Sequence, residues 1–379
     1  MLYEINEKAL KLESEGKKII RLNLGDPDMA TPPEIVEAAY ASMKAGKTKY
    51  SSSYGELKLR QKIAEVHGVK VENVVITPGS KWAIFATMFL TLKNGGNVII
   101  PTPYWTAYDL IAKSFGAKTK LLRTEMEDGW KVDLAKLESL IDAETKMIIL
   151  NNPNNPTSKT IEAETLDGIV EIANRKGVTI LSDEVYGAIA FSKVKSILDY
   201  GADSPHILTN GFSKTFSMTG WRVGYIVANK MLIDNVTKLN QITFNNVPIF
   251  IQDAALKGLE LHARIASSIK AKYKERADLA TRKLSAGGFK FTTPDAPFYM
   301  FPKRDGLDGE KFTLNLLDKG VAVAPGTSFG DYREHFRISL TAPDDQIVEG
   351  LEKICEAVNR CGRRFLAREK WVSGSPNGA

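Results

Sequence analysis

Ser213-Lys214-Thr215-Phe216-Ser217-Met218-Thr219-Gly220-Trp221-Arg222-Val223-Gly224-Tyr225 sets one lysine and one arginine among small, hydroxylic and apolar residues. Surface lysines normally sit among other charges. This one follows an apolar run, Ile207-Leu208, and a turn-forming pair, Asn210-Gly211, so it is expected on a loop at the end of a buried strand. A lysine held partly out of water loses its proton near neutral pH and can attack a carbonyl carbon. Arg222 offers a planar, permanently charged fork suited to a phosphate or carboxylate. Taken alone, the same residues also describe a mobile loop with a solvated lysine and an arginine that caps a strand. What stands at the neighbouring strand ends decides between the two.

Outward from this segment, short apolar runs alternate with stretches of helical period from about Val71 to Ala228. Val74–Thr77, Asn97–Ile100, Lys118–Leu122, Met147–Leu150, Thr179–Ser182, Ile207–Thr209 and Val223–Val227 read as strands; Trp82–Leu92, Trp105–Phe115 and Thr165–Lys176 read as helices. Such alternation predicts a mainly parallel sheet covered on both faces, with ligands collecting beyond the carboxyl ends of its strands. After Asn229 the pattern changes to long helices (Met231–Gln241, Ile249–Leu261, Ala263–Leu284). Short strands follow around Phe289–Thr292, Phe298–Phe301, Val321–Val323 and Phe336–Ser339. The expected architecture is α/β: a large domain over residues 39–270 and a smaller α+β domain made from both chain ends, 1–38 and 271–379.

Composition narrows the function. Of 379 residues, 43% are hydrophobic and 25% charged, an ordinary balance for a chain with ample core. The net charge of +6 is spread along the chain, which argues against nucleic acid as a partner. The densest basic cluster, Arg360, Arg363, Arg364, Arg368 and Lys370, reads as a solvated helix end before a fraying tail. Cys355 and Cys361 match no metal or redox spacing and read as reduced thiols of a cytoplasmic protein. The four histidines are scattered without ligand spacing, so no metal is expected. Met1–Lys18 is amphipathic with four glutamates, unlike a signal or transit peptide, and no apolar run reaches membrane-spanning length.

Four further motifs fall at predicted strand ends. Thr77-Pro78-Gly79-Ser80-Lys81 joins a strand to a helix, so amides of a helix N-terminus face any anion there, although Ser80 would serve equally as an ordinary cap. Pro101-Thr102-Pro103-Tyr104-Trp105 projects two aromatics from a stiff backbone, and Trp105 could stack on a flat ring or pack in the core. Asn151-Asn152-Pro153-Asn154-Asn155-Pro156-Thr157 holds more asparagines than a turn requires, leaving an amide for a phenolic oxygen. Asp183-Glu184-Val185-Tyr186 puts two acids just beyond a buried strand, where they need partners: a protonated ring nitrogen for the aspartate, or a simple salt bridge. Aspartate for a pyridinium, aromatic for its face, amide and phenol for its hydroxyl, helix amides and arginine for a phosphate, lysine for an aldehyde: together they describe pyridoxal 5'-phosphate.

With these motifs in this order, from Leu24-Gly25-Asp26-Pro27-Asp28 to Phe336-Arg337-Ile338-Ser339, the chain resembles the class I and II aminotransferases, pyridoxal-phosphate enzymes of fold type I with the aspartate aminotransferase fold. The resemblance implies that Lys214 attaches the cofactor and moves the Cα proton, and that Asp183 faces the ring nitrogen. It implies that Tyr186 and Asn155 contact the ring oxygen, that Trp105 stacks on the ring, and that Ser80, the Lys81 amide, Ser213 and Arg222 hold the phosphate. Tyr50 resembles the tyrosine that reaches the phosphate of a neighbouring subunit, which implies a homodimer with shared sites. Arg337 resembles the arginine that grips the substrate α-carboxylate, with Gly25 and Asn155 also toward substrate. The implied reaction is ping-pong transfer of an amino group from an L-amino acid to 2-oxoglutarate.

Three positions depart from the family pattern: Ser158 where glycine ends the asparagine turn, Trp82 after Lys81, and Ala296-Pro297 before Phe298-Tyr299. Lys81 bears on the amino donor, because in some members of the family a lysine in a similar setting faces the distal carboxylate of aspartate; a solvated helix-start lysine is the other reading. Aspartate is the expected donor. An aromatic or broad-specificity aminotransferase and a same-fold lyase acting on sulfur amino acids are the alternatives. A regulatory protein built on this domain would carry a DNA-binding extension, which is not expected because the motifs begin within the first thirty residues.

Overall fold

The computed structural model describes residues 2–372, with side chains described for residues 4–358, so the side chains of the C-terminal basic cluster and of Cys361 lie outside the described residues. Helix α1 (Leu2–Ser14) and strand β1 (Ile20–Arg21) precede α2 (Pro33–Lys44) and α3 (Leu57–His67). Next come β2 (Val74–Thr77), α4 (Ser80–Leu92), β3 (Asn97–Thr102), α5 (Ala107–Ser114), β4 (Lys118–Arg123), α6 (Leu134–Leu140), β5 (Thr145–Asn151), α7 (Ala163–Lys176), β6 (Thr179–Asp183), β7 (Ile207–Gly211) and β8 (Gly224–Val227). Helices α8 (Lys230–Thr243), α9 (Ile249–Glu260) and α10 (His262–Ala286) follow. The chain closes with β9 (Tyr299–Met300), α11 (Gly309–Asp318), β10 (Val321–Ala322), β11 (Ala324–Pro325), β12 (Phe336–Ser339) and α12 (Asp344–Val372).

Two compact units emerge. The larger holds Asp26–Lys274 with Pro294–Pro297; the smaller holds Met1–Gly25, Glu275–Thr293 and Phe298–Ala379. The larger unit thus begins at Asp26, ahead of residue 39, because α2 is tied to α9: the Ser42 hydroxyl donates to Asp253 Oδ2 (2.8 Å), and Ile35 packs beside Gly258.

The core of the larger unit is a seven-stranded sheet in the order β2-β8-β7-β6-β5-β3-β4. Only β8 runs against its neighbours. Central strands such as Val98–Ile100 and Met147–Leu150 are buried throughout, as expected where helices cover both faces. Helix α4 contributes Ala83, Ile84, Ala86, Met88 and Leu92 to the same core. The edge strand β4 is lined instead by Lys118, Lys120 and Arg123, charges that discourage further strand pairing.

Register brings the motifs to one edge. Asn151 pairs with Asp183, Asp183 with Thr209, Gly211 with Gly224, and Gly224 with Thr77. Four of the five motifs noted in the sequence therefore start from one continuous ladder, and the fifth follows Thr102 at the carboxyl end of β3 on the same side.

In the smaller unit β1 pairs parallel with β10, and β11-β12-β9 form an antiparallel sheet. The strand expected over Phe289–Thr292 reduces to one antiparallel bridge between Lys290 and Lys303. Likewise the strand expected over Val321–Val323 shortens to β10, and β11 begins only at Ala324. Among the described residues, no helix is long and apolar enough to cross a membrane, and no cluster of three or more His, Cys, Asp or Glu could hold a metal.

Candidate active site

The turn between β2 and α4 is made for an anion. Gly79 occupies the N-cap position with φ +86°, and the helix start has no side-chain cap. Ser80 is therefore the first helical residue and does not supply the cap that its type suggests. The leading amides keep their donors pointed outward, with the helix dipole behind them. The positive φ at Gly79 is one that side chains rarely adopt, and an added Cβ would stand 2.7 Å from Arg222 Nη2, so the guanidinium lies directly against this turn. Arg222 is held there by an Nη1 bond to the Thr219 carbonyl (2.7 Å) and by a left-handed backbone, φ +53°.

Lys81, the second helical residue, is exposed, and its Nζ sits 5.1 Å from the centroid of the half-buried Trp105 ring. Partial burial lowers its pKa, and the charges of Arg222 and Lys214 lower it further. The charge of Lys214 also acts on Asp183. Lys81, Trp105, Arg222, Lys214 and Asp183 are thus gathered in one region of the larger unit.

Asp183 ends β6 and is almost fully buried. Burial pushes its pKa up to about 6, opposed by the Tyr108 hydroxyl, which donates to Oδ2 over 2.7 Å, by the Val185 amide and by Lys214. Tyr108 went unnoticed in the sequence; its signal is its place three residues after Trp105, on the buried face of α5, where it meets Trp105 edge to face with centroids 5.4 Å apart. Glu184 is held differently from its neighbour. Ser182 Oγ, Ser196 Oγ and the Ile197 amide donate to its carboxyl at 2.9, 2.7 and 2.9 Å, while burial pushes its pKa up to about 7.

The asparagine turn divides its labour. Asn151 donates to the Asp183 carbonyl (2.9 Å) and accepts from the Asn155 amide (2.7 Å). Asn152 accepts from the Ile161 amide, and Asn154 bridges Thr157 and the Pro103 carbonyl. Asn155 is buried, and its amide is tied through the Asn151 side chain to the Asp183 end of β6. Tyr186 is buried just beyond β6, and Ser213 and Lys214 lie on the turn after β7. Tyr50 differs from them in being 85% exposed.

The departures from the family pattern have local explanations. Ser158 takes φ +54°, the region that favours glycine, and its hydroxyl donates to the carbonyl of Pro297 (3.2 Å), so two of the departures touch. Trp82 is committed to packing: it stacks on Phe85, meets Phe244 edge-on and donates from Nε1 to Asn240 Oδ1 (3.2 Å).

The smaller unit carries a separate constellation. Arg337 on β12 is buried between aromatic faces, its Cζ 4.5 Å from the Tyr299 ring centroid and 4.8 Å from that of Phe329. Its Nη2 donates to the Asn23 carbonyl over 2.6 Å. Gly25 closes on Tyr299 so tightly that an added Cβ would fall 1.8 Å from the phenolic oxygen. Stacking and a backbone anchor fix the guanidinium plane, as two-point recognition of a carboxylate requires.

Comparison with known proteins assigns these features to a family. The family model of aminotransferase class I and II matches residues 17–354. The chain belongs to the class I and II aminotransferases. This aminotransferase is 35% identical to an aspartate aminotransferase of Thermococcus kodakarensis over 99% of its own length and 97% of that protein's. It is 36% identical to a (5-formylfuran-3-yl)methyl phosphate transaminase of Methanocaldococcus jannaschii, covering 93% and 95% of the two chains. Among solved structures, a single mutant of the aspartate aminotransferase of Thermus thermophilus superposes with a TM-score of 0.89 at 29% identity, covering 94% of this chain and 96% of that one. The aminotransferase therefore has the fold that the sequence resemblance implies, and its family depends on pyridoxal 5'-phosphate.

Proposed function

We propose that this aminotransferase transfers the amino group of L-aspartate to 2-oxoglutarate, with pyridoxal 5'-phosphate as its cofactor. The observation that carries the reading is the convergence of Lys214, Asp183, Arg222, Lys81 and Trp105 in one region. The donor set fits the cofactor. An uncapped helix start beside Arg222 suits a phosphate dianion, and a buried carboxyl pushed up to about 6 gains most from a cationic ring nitrogen beside it. When bound, the cofactor supplies an aldehyde to take the amino group and a ring to accept the electron pair released at Cα.

The chain's own residues do the rest. Asp183 stays ionised against the ring nitrogen, with Tyr108 fixing its orientation. Asn155 and Tyr186 donate to the ring oxygen, Trp105 covers the ring face, and Ser80, the Lys81 amide, Ser213 and Arg222 bind the phosphate. Lys214 holds the cofactor through its amine and, when released, carries the proton at Cα. Arg337, beside Gly25, takes the substrate α-carboxylate. Tyr50 reaches the phosphate of a second subunit in a homodimer, a reading that its 85% exposure supports. A cytoplasmic location belongs to the same reading.

Aspartate is favoured over aromatic donors by the positions of two adjacent residues. Lys81 holds its ammonium 5.1 Å from the Trp105 ring centroid, within reach of the charge of Lys214, whereas Trp82 is spent on Phe85, Phe244 and Asn240. A panel of amino donors assayed with 2-oxoglutarate tests this. Aspartate should give the highest kcat/KM; preference for an aromatic donor would overturn it.

A further inference from the structure

Tyr50 stands at the head of a segment, Ser51 to Glu56, that has neither helix nor strand of its own. Four side-chain amides from one stretch of the fold, residues 240–252, hold it. Asn246 Oδ1 accepts from the Ser51 amide at 3.3 Å, and Asn245 Oδ1 accepts from the Ser53 hydroxyl at 3.1 Å. Asn240 Nδ2 donates to the Ser53 carbonyl at 3.1 Å and to the Ile76 carbonyl of β2 at 3.3 Å. Gln252 Oε1 accepts from the Glu56 amide at 2.7 Å. Asn240 and Gln252 are completely buried and use both ends of the amide, since Asn240 also accepts from Trp82 Nε1 and Gln252 donates to the Val247 carbonyl at 2.6 Å. Asn245 adopts φ +67°, a backbone that asparagine tolerates better than most residues and that turns its side chain onto Ser53.

The arrangement has a purpose beyond closing a loop. An irregular segment orders only if its backbone groups find partners, and an amide, being both donor and acceptor, can serve an N–H and a C=O without titrating. Tyr50 itself is exposed, so its own packing cannot fix its direction. The register of residues 51–56 must do so. We propose that Asn240, Asn245, Asn246 and Gln252 form a clamp that presents Tyr50 to the cofactor phosphate of the neighbouring subunit, so that these residues of one subunit set cofactor affinity in the other. This rests on the reading of Tyr50 given above.

The decisive experiment separates an effect within a subunit from one across the dimer. Asn245→Gly removes the bond to Ser53 while allowing the positive φ; Ser53→Ala removes the same bond from the other side; Asn245→Asp keeps the acceptor. Pyridoxal phosphate is titrated, and occupancy is read by borohydride fixation at Lys214 and peptide mapping. The Asn245→Gly homodimer should need about tenfold more cofactor for half labelling, Ser53→Ala somewhat less, and Asn245→Asp close to the wild-type amount. In a mixed dimer of Asn245→Gly with Lys214→Ala, the only site that can be labelled receives Tyr50 from a subunit whose clamp is intact. Its half-labelling concentration should return to that of the wild type. An unshifted homodimer, or a mixed dimer as weak as the Asn245→Gly homodimer, would overturn the clamp. Tyr50→Phe in the same two dimers tests the underlying reading. If its defect is relieved in the mixed dimer while that of Asn245→Gly is not, the clamp alone fails; if Tyr50→Phe shows no defect, or one that persists, the Tyr50 reading falls and the clamp with it.

Discussion

The Tyr108 hydroxyl donates to Asp183 Oδ2 across 2.7 Å, and this hydrogen bond leads the interactions that hold down the pKa of the buried carboxyl. Burial dominates nonetheless, and Asp183 rests at about 6 with Glu184 at about 7, both above the ordinary 3.8 and 4.5. A protein without its cofactor thus keeps two carboxyls in surroundings that oppose their charge.

The consequence for stability follows from linkage. Between about pH 4 and pH 6 to 7, the folded chain without cofactor holds protons that the unfolded chain has released. The contribution of these two groups is therefore greatest in acid, below their unfolded values, and is lost as pH rises through 6 and 7. For Asp183 the difference is roughly 3 kcal/mol at pH 8. Asp183→Asn should accordingly raise the melting midpoint of the cofactor-free protein at pH 8 by a few degrees and change it little at pH 4.5. The same substitution should cut transamination by roughly 100-fold or more, because the amide cannot balance a cationic ring nitrogen. Calorimetry of the cofactor-free protein with parallel turnover assays checks both; a destabilised variant at pH 8 would contradict the assignment.

Lys81 supplies a test of donor choice. Lys81→Ala should lower kcat/KM for aspartate by about 10- to 100-fold, the scale of one charge-assisted hydrogen bond, and leave alanine or phenylalanine nearly unchanged. A uniform loss across donors would instead assign Lys81 to the cofactor alone.

Ser158 and Pro297 predict a paired stability effect. Ser158→Ala keeps the strained φ of +54° and loses the bond to the Pro297 carbonyl, and should cost about 1 to 2 kcal/mol in denaturant unfolding. Ser158→Gly loses the same bond and relieves the strain, so it should cost less than half as much.

Much of this was legible in the sequence. The alternation from Val74 to Val227 specified the sheet because its central strands are buried on both faces and leave unbroken apolar runs. The motif residues were legible because glycine, proline and asparagine at strand ends have few other uses than turns and ligand contacts. The rest depended on pairing that sequence spacing does not reveal. Tyr108 looks like any core aromatic until α5 brings it to Asp183, which lies 75 positions away. Ser80 looks like a cap, yet Gly79 takes that position with a φ of +86° that side chains rarely adopt. Ser158 and Pro297 seemed separate departures, although one hydrogen bond joins them. The amides of residues 240–252 read only as a polar helix end, since their partners lie nearly 200 residues earlier.

The most direct test concerns Lys214. Purified protein equilibrated with pyridoxal 5'-phosphate, reduced with borohydride, digested and mapped should carry the reduced cofactor on the peptide containing Lys214, in a ratio approaching one per chain, and Lys214→Ala should abolish both the label and transamination. Label at Lys81 or at any other lysine of the unreplaced protein, with Lys214 unmodified, would contradict the assignment.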